Sequence, residues 1–134
     1  MDLRRAIEAG SWAAALSGAP STLHALATGG DPLEASLAAG SMLLPNETRR
    51  GWLFAAAVPV HLTLSLGWAV VLERAGVRGA ARGAFAGLAI ATLDLAVGRA
   101  LFPRVRALPL LPQVADHVAY GAIVGRMLGR RGRD

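Results

Sequence analysis

Twenty-two consecutive residues without a charge, GWLFAAAVPVHLTLSLGWAVVL from Gly51 to Leu72, constrain this chain more than any other feature. A helix rises about 1.5 Å per residue, so roughly 20 apolar residues cross the hydrocarbon core of a bilayer. Trp52 and Trp68 stand near the two ends of the run, where an indole finds lipid on one side and polar groups on the other. Pro59 inside it is tolerated in a membrane helix, with a kink.

Three weaker segments follow the same logic. Hydrophobic residues make up 54% of the chain before its 16 glycines are counted, and mean hydropathy is +0.44. An ordinary domain reaches about 45–50% with glycine included. The sequence therefore predicts an all-α integral membrane four-helix bundle, one transmembrane domain over residues 1–134. Its spans fall at about 3–27, 51–72, 82–102 and 108–128, the last with Pro112 in its first turn. A short interfacial or re-entrant helix over about 32–44 joins the first two. Asp31 caps it, Pro32 suits its first turn, Glu34 completes a capping box, and Pro45 ends it. A cleaved secretory signal is the rival reading of the N-terminus. Arg4 and Arg5 suit one, whereas Glu8 interrupts its apolar region.

All fourteen basic residues are arginine, and they cluster between the apolar segments. With the N-terminus inside, Arg4, Arg5, Arg74, Arg78, Arg82, Arg126, Arg130, Arg131 and Arg133 lie on inner segments. Arg49, Arg50, Arg104 and Arg106 lie on outer ones, with Arg99 near that edge. The positive-inside rule then puts both termini in the cytoplasm of a bacterial inner membrane. The basic tail GRRGRD reads first as a solvated segment and, as the alternative, as a contact with anionic headgroups. No basic face with interleaved aromatics appears, which excludes nucleic acid as a partner. With no cysteine there is no disulfide or thiolate chemistry.

Asp94 lies near the centre of the third span, where a carboxylate is expensive and is a functional candidate by default. Helical spacing places Gly83, Gly87, Ala91, Asp94 and Gly98 on one stripe, a face for close helix packing. The fourth span repeats it with Gln113, His117, Gly121 and Gly125, while Asp116 points away. His61 in the second span reaches a similar depth, with Ser65 on the same side. These spacings predict an intramembrane polar cluster of His61, Asp94 and His117, supported by Ser65, Gln113, Asp116 and His24. Arg99, five residues after Asp94, lies on another side of the helix and snorkels to the outer interface.

Three chemistries compete for this cluster. Interhelical hydrogen bonding needs nothing more than the residues named. A proton or ion path needs titratable groups at one depth, which histidine and aspartate supply. A metal, or a haem between His61 and His117, has acceptable ligand types but no local ligand motif. No nucleophile context accompanies Ser65 or Ser21, and GAFAG lacks a phosphate-binding pattern.

ADHVAYGAIVGRML, from Ala115 to Leu128, resembles the last helix of small uncharacterised bacterial multi-pass membrane proteins, through His117, Tyr120, Gly121 and Gly125. STLHALATGGDPLEA is similar to another of their segments. The resemblance implies a membrane location and a helical bundle, and carries no activity. The expectation is a non-enzymatic structural or accessory membrane component without a cofactor. Its partners are the lipid bilayer and a homo-oligomer or membrane protein partner. A small proton or ion carrier is the alternative, and a haem- or metal-binding subunit a further one.

Overall fold

The computed structural model describes residues 1–130, which are all-helical. Seven helices follow in order: α1 Leu3–Leu16, α2 Ala19–Thr28, α3 Glu34–Gly40, α4 Arg50–Arg74, α5 Ala80–Leu101, α6 Pro103–Ala107 and α7 Leu110–Leu128. The tail arginines at 131 and 133 lie outside the described residues.

The first expected span is not one helix. Its hydrogen-bond ladder stops where Ser17 N–H reaches the Ala13 carbonyl, and the chain restarts after Gly18 with Pro20 in the first turn of α2. Pro20 removes a donor and crowds the carbonyl four residues back, and Gly18 beside it lowers helix propensity, so the helix breaks here, whereas α4 continues through Pro59. The expected capping box at Asp31 is absent as well. Asp31 Oδ1 accepts from Leu33 N–H at 2.9 Å, but Glu34 turns outward and takes Arg104 in two hydrogen bonds of 2.6 and 3.0 Å. That pair ties α3 to α6. The helix consequently starts at Glu34 and is shorter than 32–44.

The most extensive helix pair is α5 with α7, and glycines explain it. A methyl on Gly83 would overlap the Gly121 carbonyl oxygen, one on Gly87 the His117 carbonyl oxygen, and one on Gly125 would stand 2.5 Å from Gly79 O. The helix backbones touch, and Gly79 N–H even donates to the Gly125 carbonyl at 2.7 Å. Gly98 has another role. It faces a side chain, Val105 of α6, at 3.3 Å from the position a Cβ would take, and makes no backbone approach to α7. Two more close approaches bring α3 and α1 onto α4: Gly40 sits against the Leu53 backbone, and a Cβ on Gly10 would stand 2.9 Å from that of Ala69.

Around this pair the other helices form an incomplete ring. α1 lies between α4 and α7, α3 caps α4 at one end, and α2 leans on α7. α4 shares no extended interface with either α2 or α5. A core of Ala9, Ala13, Ala69, Leu72, Ile90, Tyr120, Val124 and Leu128 fills the half nearer the N-terminus. There Glu73 is buried, accepting Asp2 N–H at 3.1 Å and pairing with Arg78 at 2.8 Å.

Outward faces are apolar. Trp12, Phe85, Leu88, Leu93, Val97, Leu101 and Leu111 are all exposed. α4 and α5 are long and apolar enough to cross a membrane, and only 22% and 28% of their apolar windows are buried within the protein.

Candidate functional site

The break between α1 and α2 sets the chemistry of the site. A helix end leaves carbonyls and N–H groups without intrahelical partners, and in apolar surroundings these must be satisfied elsewhere. The Ala14 carbonyl at the end of α1 accepts from His61 Nε2 of α4 at 2.8 Å. At the start of α2, Gly18 offers no capping side chain, and the Ser21 N–H donates instead to Asp116 Oδ1 of α7 at 2.9 Å. Two predicted site residues therefore cap a broken helix from across the bundle. Asp116 lies off the glycine face, as its spacing places it, and still lines the site. It faces α2.

Asp94 meets different partners. Its Oδ2 accepts from the Trp68 indole N–H at 3.0 Å and stands 3.6 Å from His117 Nε2. His117 Nδ1 lies 2.7 Å from the Gln113 carbonyl oxygen, one turn earlier. A carbonyl can only accept, so Nδ1 carries a proton and Nε2 is the nitrogen left to gain or lose one. The same reasoning fixes His61 with its proton on Nε2. Gln113 thus contributes its backbone. Ser65 does likewise, its carbonyl accepting from the Tyr120 hydroxyl.

These groups surround a cavity of about 630 Å³ with a mostly apolar wall. All seven helices contribute to it, and His61, Ser65, Asp94, Gln113, Asp116 and His117 line it. The predicted cluster is therefore brought to one cavity, but only Asp94 and His117 are paired. His61 is held by α1. His24 is exposed, outside the lining, and takes no part. Arg99 is not a counter-ion for Asp94: it donates to the Leu108 carbonyl at 2.9 Å. Among the described residues no three His, Asp or Glu side chains stand in a metal-binding arrangement. A haem held by His61 and His117 would require His61 Nε2 to leave the Ala14 carbonyl.

Sequence spacing puts Trp68 on the His61 face, seven residues on, as well as near the interface; what it did not reveal is Trp68 as the donor to Asp94, or Tyr120 as a donor into α4. No protein-family model, curated protein or solved structure matches this sequence.

Proposed function

We propose that this chain is a multi-pass bacterial inner-membrane protein with a non-enzymatic accessory role, and that it binds a small molecule in an intramembrane pocket centred on Asp94 and His117. Four crossings are formed by α1 with α2, by α4, by α5 and by α7. Exposed apolar faces support this: a helix buried in a water-soluble core would hide such surface, and a lipid-facing one leaves it bare. Arginine distribution supports an orientation. One end of the bundle gathers Arg4, Arg5, Arg74, Arg78, Arg82, Arg126 and Arg130, and the other Arg49, Arg50, Arg104 and Arg106, with Arg99 close by. The first end then faces the cytoplasm.

One observation carries the pocket reading. Asp94 lines a cavity of about 630 Å³, within the range of about 300–1,000 Å³ usual for ligand sites, and part of its hydrogen-bonding capacity is unspent. Among the described residues Asp94 Oδ1 accepts no hydrogen bond, and His117 Nε2 is too far from Oδ2 for a good one.

The chain has no cysteine, so single-cysteine variants report cleanly. In sealed membranes, Val58→Cys, half-exposed and on the cavity wall, should react with a small hydrophilic methanethiosulfonate. Leu93→Cys, exposed but outside the lining, should react only with a lipid-soluble maleimide. Equal silence of both toward the hydrophilic reagent refutes the pocket. Extraction of the protein by alkaline carbonate refutes the membrane assignment.

The Asp94–His117 pair favours a second reading, a proton carrier. Proton flux in liposomes that disappears in a folded Asp94→Asn variant supports it, and absence of flux between about pH 5 and 8 removes it.

A further inference from the structure

The cavity is short of positive charge in a chain rich in it. Fourteen arginines are present, yet none of those among the described residues lines the cavity; its charged groups are the carboxylates of Asp94 and Asp116. Three aromatic side chains, Phe54, Trp68 and Tyr120, stand in a wall otherwise made mostly of small and aliphatic residues. An aromatic face attracts a cation through its quadrupole, tryptophan most strongly. A desolvated carboxylate attracts one through its charge, and the attraction grows as water is excluded. An anionic head, by contrast, would meet two like charges and no guanidinium.

Access points the same way. α4 has extended interfaces with α1 and α3 but with neither α2 nor α5. Phe54, Val58 and Leu64 of α4 line the cavity and remain exposed. The cavity therefore opens laterally beside α4, without any helix having to unwind.

Resting on the pocket reading, we propose that the occupant is a lipophilic monocation. Its positive centre lies at Asp94, with Asp116 adding to the negative field, and its apolar body lies along α4 and leaves beside it. Fixed groups leave room for one positive charge. The titratable groups that line the cavity with Asp94 are His117, Asp116 and Tyr120 of α7 and His61 of α4; α1, α2 and α3 bring none into the lining. Protonation of His117, whose Nε2 faces Asp94 at 3.6 Å, places a positive charge where the ligand's would go. Affinity consequently falls as pH falls.

The probe is tetraphenylphosphonium, titrated calorimetrically into the full chain in nanodiscs at about pH 8 and about pH 6. Tetraphenylborate, of matching shape and opposite charge, is the control. Saturable phosphonium binding is expected, at least tenfold weaker in Asp94→Asn, restored in part by Asp94→Glu, and weaker at the lower pH. Phosphonium should also protect Val58→Cys from the hydrophilic thiol reagent, and borate should not. Should Asp94→Asn not fold, Asp116→Asn decides, since it keeps an oxygen for the Ser21 N–H while losing the charge; a loss of several-fold is expected. Unchanged binding in a folded Asp94→Asn variant, or equal protection by borate, overturns the cation assignment and leaves the pocket standing. A Val58→Cys that the hydrophilic reagent never reaches overturns the pocket, and this inference with it.

Discussion

Adding one methyl group at Gly121 should separate α5 from α7, whereas the same methyl at Gly67 should strengthen the protein. Gly121 lies at the centre of the glycine contact. A Cβ there would overlap the Gly83 carbonyl oxygen and stand 2.7 Å from both Gly87 Cα and Gly87 N. Ordinary contact begins at 3.4 Å, so the shortfall is about 0.7 Å against Gly87 and larger against the Gly83 carbonyl oxygen, all of it against backbone. Backbone atoms inside a hydrogen-bonded helix cannot swing aside as the end of a side chain does. The helices must therefore part, and a gap of roughly 0.5–1 Å forfeits a quarter to a half of the dispersion energy of each contact along the seam. Overpacking of this kind costs about 1–3 kcal/mol. Alanine returns up to about 1 kcal/mol through its higher helix propensity. The net expectation for Gly121→Ala is a loss of about 1–2 kcal/mol. At Gly67 of α4 a Cβ meets nothing within 4 Å, so only the propensity gain of roughly 0.5–1 kcal/mol remains. Reversible unfolding in mixed micelles, followed by far-ultraviolet circular dichroism, measures both. If Gly121→Ala moves the midpoint in the same direction as Gly67→Ala, the backbone contact between α5 and α7 does not exist as described.

Other consequences follow from pairs outside the cavity and from the cap on α2. Arg78→Met leaves Glu73 buried without its cation; loss of one partner from a fully buried pair costs about 3–5 kcal/mol, and because Arg78 is 28% exposed the expected loss is nearer about 2 kcal/mol. Adding Glu73→Met should recover part of that loss in the same unfolding assay. In the segment before α4, Arg49 holds the Glu47 carboxyl down to about 2 and Arg50 lowers that of Asp31. A lowered folded-state value adds stability above the unfolded value and gives it up as pH falls through the folded one. Limited proteolysis between Asp31 and Arg50 should thus stay slow at about pH 5 and accelerate only as pH approaches about 2; acceleration at pH 5 refutes the pairing. Asp116→Ala removes the cap from α2, with an expected cost of about 1 kcal/mol and faster hydrogen exchange at Ser21 and Thr22, but unchanged exchange along α5 and α7.

The faces of the helices were legible in the sequence, and their partners were not. Gly83 and Gly87 recur at four-residue spacing, as do Gly121 and Gly125, and small residues at that spacing identify a packing face without further information. The same spacing put Asp94 and His117 toward protein, and both line the cavity. Gly98 shared the stripe but lies beyond the point where α7 leaves α5, so α6 covers it; periodicity reports direction and not where a neighbour ends. The break at Ser17 and Gly18 had a local signal in Pro20. That signal was outweighed by the length of the apolar segment, and with it went the orphaned backbone groups that His61 and Asp116 satisfy. Glu73 was invisible for a related reason: its partners, Asp2 and Arg78, approach from separate elements. No spacing along one helix encodes such a meeting.

Trp68 offers the sharpest test of what Asp94 is for. Its indole N–H is the direct hydrogen bond by which α4 reaches across the cleft to Asp94 of α5. Interhelical hydrogen bonds in membranes contribute about 0.6 kcal/mol on average and up to about 1.7 kcal/mol. If Asp94 serves only to join the helices, Trp68→Phe and Asp94→Asn each remove that same bond or weaken it, and the double variant should cost no more than the larger single one. Coupling in the double-mutant cycle would then nearly equal the single effect. If Asp94 is kept for a ligand, the two substitutions separate. Trp68→Phe should cost about 0.6 kcal/mol of stability and leave the carboxylate and its charge in place, so probe binding falls only by the lost aromatic contact. Asp94→Asn can still accept through its amide oxygen, so it should cost less stability than Trp68→Phe and yet abolish most binding. The order of the two variants must therefore reverse between the unfolding assay and the binding assay. An identical order in both would mean that Asp94 acts through the fold alone, and the unspent oxygen in the cavity would carry no functional meaning.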